Sequence, residues 1–104
     1  MEKNQFNDFG QREGYWELFY DGKLSSKGFY KADVMQGYWE SYFSNGVLNN
    51  KGYYKNHNRN GYWEGYHMNG ELGSKGNYQD GDRIGYWEYY CSDGNIRLKE
   101  YIIV

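Results

Sequence analysis

The chain has 104 residues, a formal net charge of −2 and 22% aromatic residues, with 4 Trp, 14 Tyr and 5 Phe. One domain's length excludes a two-lobed enzyme with an interdomain cleft, and 12 basic against 14 acidic residues leave no electrostatic footprint for nucleic acid. Fifteen glycines beside a single alanine weigh against helices, while nearly balanced charge and abundant Tyr and Trp weigh against disorder, so the composition is all-β.

Met1 to Gln5 contains no apolar segment, so no signal peptide is expected. No run approaches the roughly 20 apolar residues of a membrane span, and the expected location is cytoplasmic. Cys91 is the lone cysteine, which excludes an intramolecular disulfide and a cysteine zinc site.

Residues 4–13 read as the tail of a truncated leading copy of a repeat. Four fuller copies follow at 14–36, 37–60, 61–84 and 85–104, each opening on Gly-Tyr-Trp-Glu (Gly14, Gly37, Gly61, Gly85). Within each copy an aromatic stands three after the Trp, followed by Asp-Gly or Asn-Gly, an aliphatic and a lysine. A repeat at this period signals an array of stacked units.

Each copy reads as a β-hairpin turning on Asp-Gly or Asn-Gly, the signature of a type I′ turn. Counting outward from Asn45-Gly46 puts Phe43 opposite Leu48, Tyr42 opposite Asn49, Glu40 opposite Lys51, Trp39 opposite Gly52 and Tyr38 opposite Tyr53. The same count sets Glu64 against Lys75 and Glu88 against Lys99, pairs worth roughly 0.2–1 kcal/mol each across a strand pair. The first copy is one residue short before its turn, so a bulge or an altered turn is predicted that restores Glu17 to Lys27. Loops of five or six polar residues, such as Lys55 to Asn60, are expected to join the hairpins into one meander of about eight strands. The chain closes on the apolar segment Tyr101 to Val104, and a homodimer through that edge is a further expectation.

Period-two alternation sorts the hairpins into two faces. One carries Trp39, Phe43, Leu48, Gly52 and Tyr54, with Trp63, His67, Leu72, Gly76 and Tyr78 repeating them, and is predicted to be the core, Trp stacking on Trp and each Trp lying over a glycine. The other is the candidate binding face: Tyr15, Phe19, Tyr38, Glu40, Tyr42, Lys51, Tyr53, Tyr62, Glu64, Tyr66, Lys75, Tyr86 and Tyr90.

No catalytic constellation emerges from the residues. A lysine opposite each of three glutamates opposes the raised pKa a general acid needs. His67 and Cys91 fall in the core row and His57 in a loop, so they read as structural, structural and solvated; Asp80-Gly81-Asp82 reads as a turn, not a calcium loop. The reading is therefore non-catalytic, without metal or cofactor. A protein partner suits the rigid Tyr-rich face; a small planar ligand such as a nucleotide would stack there, although the glutamate row repels phosphates.

The pattern Gly-Tyr-Trp-Glu-x-Tyr-x-x-Asn-Gly-x-Leu-x-x-Lys-Gly-x-Tyr resembles the MORN repeat, in particular its bacterial variant form Gly-x-Trp-x-x-Tyr-x-x-Asn-Gly, across residues 14–104. The departures are Tyr directly before each Trp and the lost glycine at Glu100. The resemblance implies an elongated antiparallel sheet of successive hairpins and a binding role, toward protein partners and sometimes lipid head groups. Some bacterial members are similar to antitoxin-like proteins, and occupation of a partner's surface by the repeat sheet is the expected mode of action, as an antitoxin, an immunity factor or a phage-type inhibitor of a host protein. A second resemblance, to choline- and glucan-binding repeats of bacterial surface proteins, implies cell-wall carbohydrate binding, but at a shorter period and with an export signal.

Overall fold

Dipeptides that tolerate positive φ set where the chain reverses, and the segments between them pair in sequence order. The computed structural model describes residues 2–103, and Met1 and Val104, the last residue of the expected apolar terminal strand, lie outside them. The described chain is one antiparallel sheet of nine strands: β1 (Gln5–Phe6), β2 (Arg12–Tyr20), β3 (Lys23–Lys31), β4 (Val34–Tyr42), β5 (Leu48–Lys55), β6 (Asn58–Tyr66), β7 (Leu72–Gln79), β8 (Asp82–Tyr90) and β9 (Ile96–Ile102). Its edges β1 and β9 are not paired with each other, so it is an open ribbon measuring 48 × 34 × 20 Å, with no helix.

The expected five- or six-residue loops between hairpins are replaced by two-residue turns. Ala32-Asp33 (φ 50° and 67°), Asn56-His57 (50° and 73°) and Asp80-Gly81 (50° and 93°) place both central residues at positive φ, the type I′ geometry that matches strand twist. Strand pairing therefore runs up to Lys55 and Asn58 on either side of Asn56-His57.

The Asn/Asp-Gly turns of copies two to four depart from prediction in the other direction. Phe43 N–H donates to the Val47 carbonyl (2.8 Å) and Gly46 N–H to the Phe43 carbonyl (2.9 Å), with only Gly46 at positive φ (86°). His67 to Glu71 and Cys91 to Asn95 repeat the pattern. This is a three-residue loop, a type I turn followed by a left-handed glycine. It shifts the register by one, so Tyr42 faces Leu48, rather than Phe43 facing Leu48, and Tyr66 faces Leu72. A bulge at Asn49, Gly73 or Arg97 then restores the predicted pairs Ser41 with Asn50, Glu40 with Lys51 and Trp39 with Gly52. Leu48 and Leu72 consequently sit opposite Tyr42 and Tyr66 and not in the Trp row. In the first copy the turn is the two-residue type I′ at Asp21-Gly22, and Ser25 is the extra residue that returns Glu17 to Lys27, as predicted.

The buried apolar side chains are Trp16, Tyr30, Trp39, Trp63 and Trp87. Trp39 lies over Gly28, Trp63 over Gly52 and Trp87 over Gly76; a Cβ on these glycines would fall 2.1–2.2 Å from the indole. The Trp rings do not stack on one another as expected. Tyr30, Tyr54 and Tyr78 stand between them, and every contact in the series Trp16, Tyr30, Trp39, Tyr54, Trp63, Tyr78, Trp87 is edge-to-face at 5.1–6.1 Å. Edge-to-face geometry sets a positive ring edge on a negative ring face, about 0.5–1.5 kcal/mol per pair beyond burial. Each indole N–H also donates to a carbonyl one strand back: Trp16 to Gln5 (3.0 Å), Trp39 to Phe29 (3.0 Å), Trp63 to Tyr53 (2.9 Å) and Trp87 to Asn77 (3.2 Å).

The ends complete or stop this ladder. Phe6 meets Trp16 edge-to-face at 5.1 Å and Lys3 reaches Glu17 at 2.7 Å, so the leading segment does supply a partial copy. At the other end Glu100 takes the glycine slot opposite Trp87 and is held by the Tyr89 hydroxyl at 2.8 Å.

Candidate binding faces

The 13 residues singled out from the sequence all stand on the side of the sheet opposite the Trp ladder, because the extra residues Ser25, Asn49, Gly73 and Arg97 fall outside the alternating stretches that carry them. Tyr38 pairs with Tyr53, Glu40 with Lys51, and Tyr42 with Leu48. Tyr62 pairs with Asn77, Glu64 with Lys75 and Tyr66 with Leu72, while Tyr86 pairs with Tyr101 and Tyr90 with Ile96. Tyr15 lies against Phe29 at 5.6 Å, and Phe19 fills the slot that Tyr42 occupies in the next copy.

Each glutamate of this face collects phenol hydroxyls along its own strand. Glu40 accepts from Tyr38 (2.7 Å) and Tyr42 (2.5 Å), and Glu64 from Tyr62 (2.8 Å) and Tyr66 (2.5 Å). Glu17 accepts from Tyr15 at 2.9 Å, and Glu88 accepts from Tyr90. The lysine within ion-pair reach belongs to the preceding copy, not to the same hairpin as expected: Lys27 to Glu40 (3.6 Å), Lys51 to Glu64 (3.6 Å) and Lys75 to Glu88 (3.5 Å). Each of these ammonium groups also lies over the ring of Tyr42, Tyr66 or Tyr90, at 5.9–6.0 Å. A glutamate has a lysine on both flanking strands, and the choice of the earlier one ties each hairpin to the next.

The electrostatics follow from these contacts. Partial burial pushes the Glu40 carboxyl up, but the Tyr42 and Tyr38 hydroxyls and Lys27 outweigh it, and the net position is below the ordinary value; Glu64 repeats this with Tyr66, Tyr62 and Lys51. Burial, then donation to a carboxylate, raises the phenols of Tyr38, Tyr42, Tyr62 and Tyr66. All four are locked as donors at neutral pH.

The opposite face carries a trough that the sequence reading missed. Two residues after Trp39 and Trp63 stand Ser41 and Gly65, and with their cross-strand partners they make the row Ser26, Ser41, Asn50, Gly65 and Ser74. These small side chains form a floor beside the tall Trp and Tyr ladder. One cavity of about 370 Å³ on it is lined by Asn50, Gly65, Ser74, Trp63, Trp87, Tyr78, Tyr89, His67, Arg59 and Arg97. A second lies alongside, over Ser26, Ser41 and Asn50. The small residues two after Trp were the available signal, and alternation alone did not mark them as a depression.

The histidines and the cysteine differ in detail from expectation. His57 sits in a tight turn, its N–H donating to the Met35 carbonyl (3.0 Å) and its Nδ1 accepting from Met35 N–H (3.2 Å), rather than being only solvated. His67 Nε2 bonds the Tyr90 carbonyl at 2.8 Å and so bridges two copies. Cys91 opens the last three-residue loop and is half-buried, not part of the core. Among the described residues no three His, Cys, Asp or Glu gather as a metal site, and no helix is long and apolar enough to cross a membrane.

No family model matches the chain, and no curated protein matches it either.

Proposed function

We propose that the chain is a non-catalytic MORN-like repeat protein whose Tyr, Glu and Lys face binds and blocks a protein partner, in the manner of an antitoxin, an immunity factor or a phage inhibitor acting in the cytoplasm. The observation that carries this reading is the hydrogen-bonded lattice of that face. Phenol rings whose hydroxyls are already fixed to Glu40 and Glu64 lose little rotamer freedom on binding. Lowered carboxyls throughout the row suit a docking surface better than acid catalysis, which needs a raised one. The unpaired β9 edge, with Ile96, Leu98 and Tyr101 exposed, suits addition of a second copy as a further partner.

The test is affinity capture from native host lysate with the wild type and with a Tyr42→Ala/Tyr66→Ala variant whose fold is verified by circular dichroism. One stoichiometric protein held by the wild type and lost by the variant is the expected result. Capture of the same proteins by both overturns the assignment to this face.

A further inference from the structure

The arginines gather on the Trp side of the sheet. All four arginines lie against aromatic rings of the Trp side: Arg12 over Tyr30 (4.2 Å), Arg59 over Trp63 (4.4 Å), Arg83 over Trp87 (5.7 Å) and Arg97 over Tyr89 (5.9 Å). Two of them have carboxylates at hand, Arg12 with Asp33 at 2.9 Å and Arg83 with Glu100 at 3.8 Å. Arg59 and Arg97 have none within 4 Å among the described residues, and they line the same 370 Å³ cavity.

What else lines that cavity points the same way. Arg59 spends one N–H on the Tyr78 hydroxyl (3.2 Å), leaving four of a guanidinium's five donors. Asn50 and Ser74 add an amide and a hydroxyl from the floor, and Gly65, where the neighbouring copies carry Ser41 and Tyr89, opens the depression. Among the described residues Glu64 is the only acid on its rim, and its two oxygens are held on the other face by Tyr62 and Tyr66. The result is a concave site with two uncompensated positive charges, several donors, no free carboxylate and a volume suited to a small molecule. Guanidinium groups in such a setting recognise oxyanions, through short charge-assisted hydrogen bonds.

We infer that this trough is a binding site for a small oxyanion ligand, a carboxylate or a phosphate, held by Arg59 and Arg97 over Asn50 and Ser74. The inference does not rest on the protein-partner reading, since the two surfaces are opposite faces of one sheet. Trp63 and Trp87 border the cavity and serve as reporters.

The experiment is a tryptophan-fluorescence titration at constant ionic strength with inorganic phosphate in one arm and benzoate in the other. The expected result is a saturable change with at least one anion, the productive arm naming the group. Affinity should fall at least about tenfold in Arg59→Gln and in Arg97→Gln, in keeping with loss of a hydrogen bond to a charged group, and stay unchanged in Lys31→Gln, an exposed lysine that does not line the cavity. Arg59 packs on an indole, so should Arg59→Gln fail to fold, the exposed Arg97 decides the matter. No saturable change with either anion, or equal weakening in Lys31→Gln, overturns the site.

Discussion

Gly28, Gly52 and Gly76 hold their positions because an indole occupies the space a Cβ would need. At Gly52 the Cβ would come within 2.2 Å of Trp63, itself hemmed between Tyr54 and Tyr78 and bonded to the Tyr53 carbonyl. Nothing near it yields cheaply, so Gly52→Ala should cost about 3 kcal/mol, the upper end of overpacking penalties, as measured by denaturant unfolding. Ala32 presents the opposite case. It holds φ 50° in a turn whose counterparts are Asn56 and Asp80, residues that reach the left-handed region more readily. Ala32→Asn should stabilise the protein by roughly 0.5–1 kcal/mol in the same assay, and a loss of stability would contradict the turn geometry.

The strand is the unit that organises charge, because alternation brings a Tyr, a Glu and a second Tyr to one side of β4 and again of β6. The Glu64 carboxyl sits below its ordinary value of 4.5, so its stabilising share is complete above that pH and disappears as pH falls through the lower folded-state value. Glu64→Gln should therefore be about 1 kcal/mol less stable at neutral pH, a figure reduced for partial solvent screening, and should converge with the wild type in acid. A pH series of chemical denaturation curves checks this, and a gap that persists in acid would count against it. The phenols carry the opposite sign. Tyr38, Tyr42, Tyr62 and Tyr66 are raised above 10.0, so what they contribute holds below that pH and is lost as it rises toward their folded values. Spectrophotometric titration should show these phenols ionising after the exposed ones and together with unfolding; ionisation of all 14 tyrosines in a single step near the ordinary value, with circular dichroism intact, would contradict the lattice.

At the scale of the molecule, strand order equals chain order, and every strand packs on the one before and the one after it. Stability in such a ribbon is a sum over units and their seams, and each seam between hairpins (β3 with β4, β5 with β6, β7 with β8) combines a Trp over a glycine, an edge-to-face Tyr and a Lys to Glu ion pair. Strands β4 to β7 each border one such seam and lie farthest from both ends of the sheet, while β1 is two residues long and β9 has a free edge. Amide hydrogen exchange should be slowest in β4 to β7 and fastest in β1 and β9. Uniform protection from end to end would show instead that the ribbon opens only as a whole.

Much of this was legible in the residues themselves. The recurring Gly-Tyr-Trp-Glu dictated hairpins, their succession in one meander, the pairing of Glu40 with Lys51 and of Trp39 with Gly52, and even the bulge that returns Glu17 to Lys27, because these depend on local alternation and on counting from a turn. Local rules went astray where two conformations compete for the same dipeptide. Asn45-Gly46 suits a type I′ turn in isolation, yet the native loop leaves Asn45 at negative φ, its Oδ1 accepting from Val47 N–H at 2.9 Å. What only tertiary structure decided was which neighbour each side chain chose. A glutamate flanked by two lysines, an indole flanked by two glycines, and a row of small residues that becomes a trough only beside tall ones are all degenerate along the chain. Packing of one hairpin on the next, which alternation along a single strand does not encode, resolves that degeneracy.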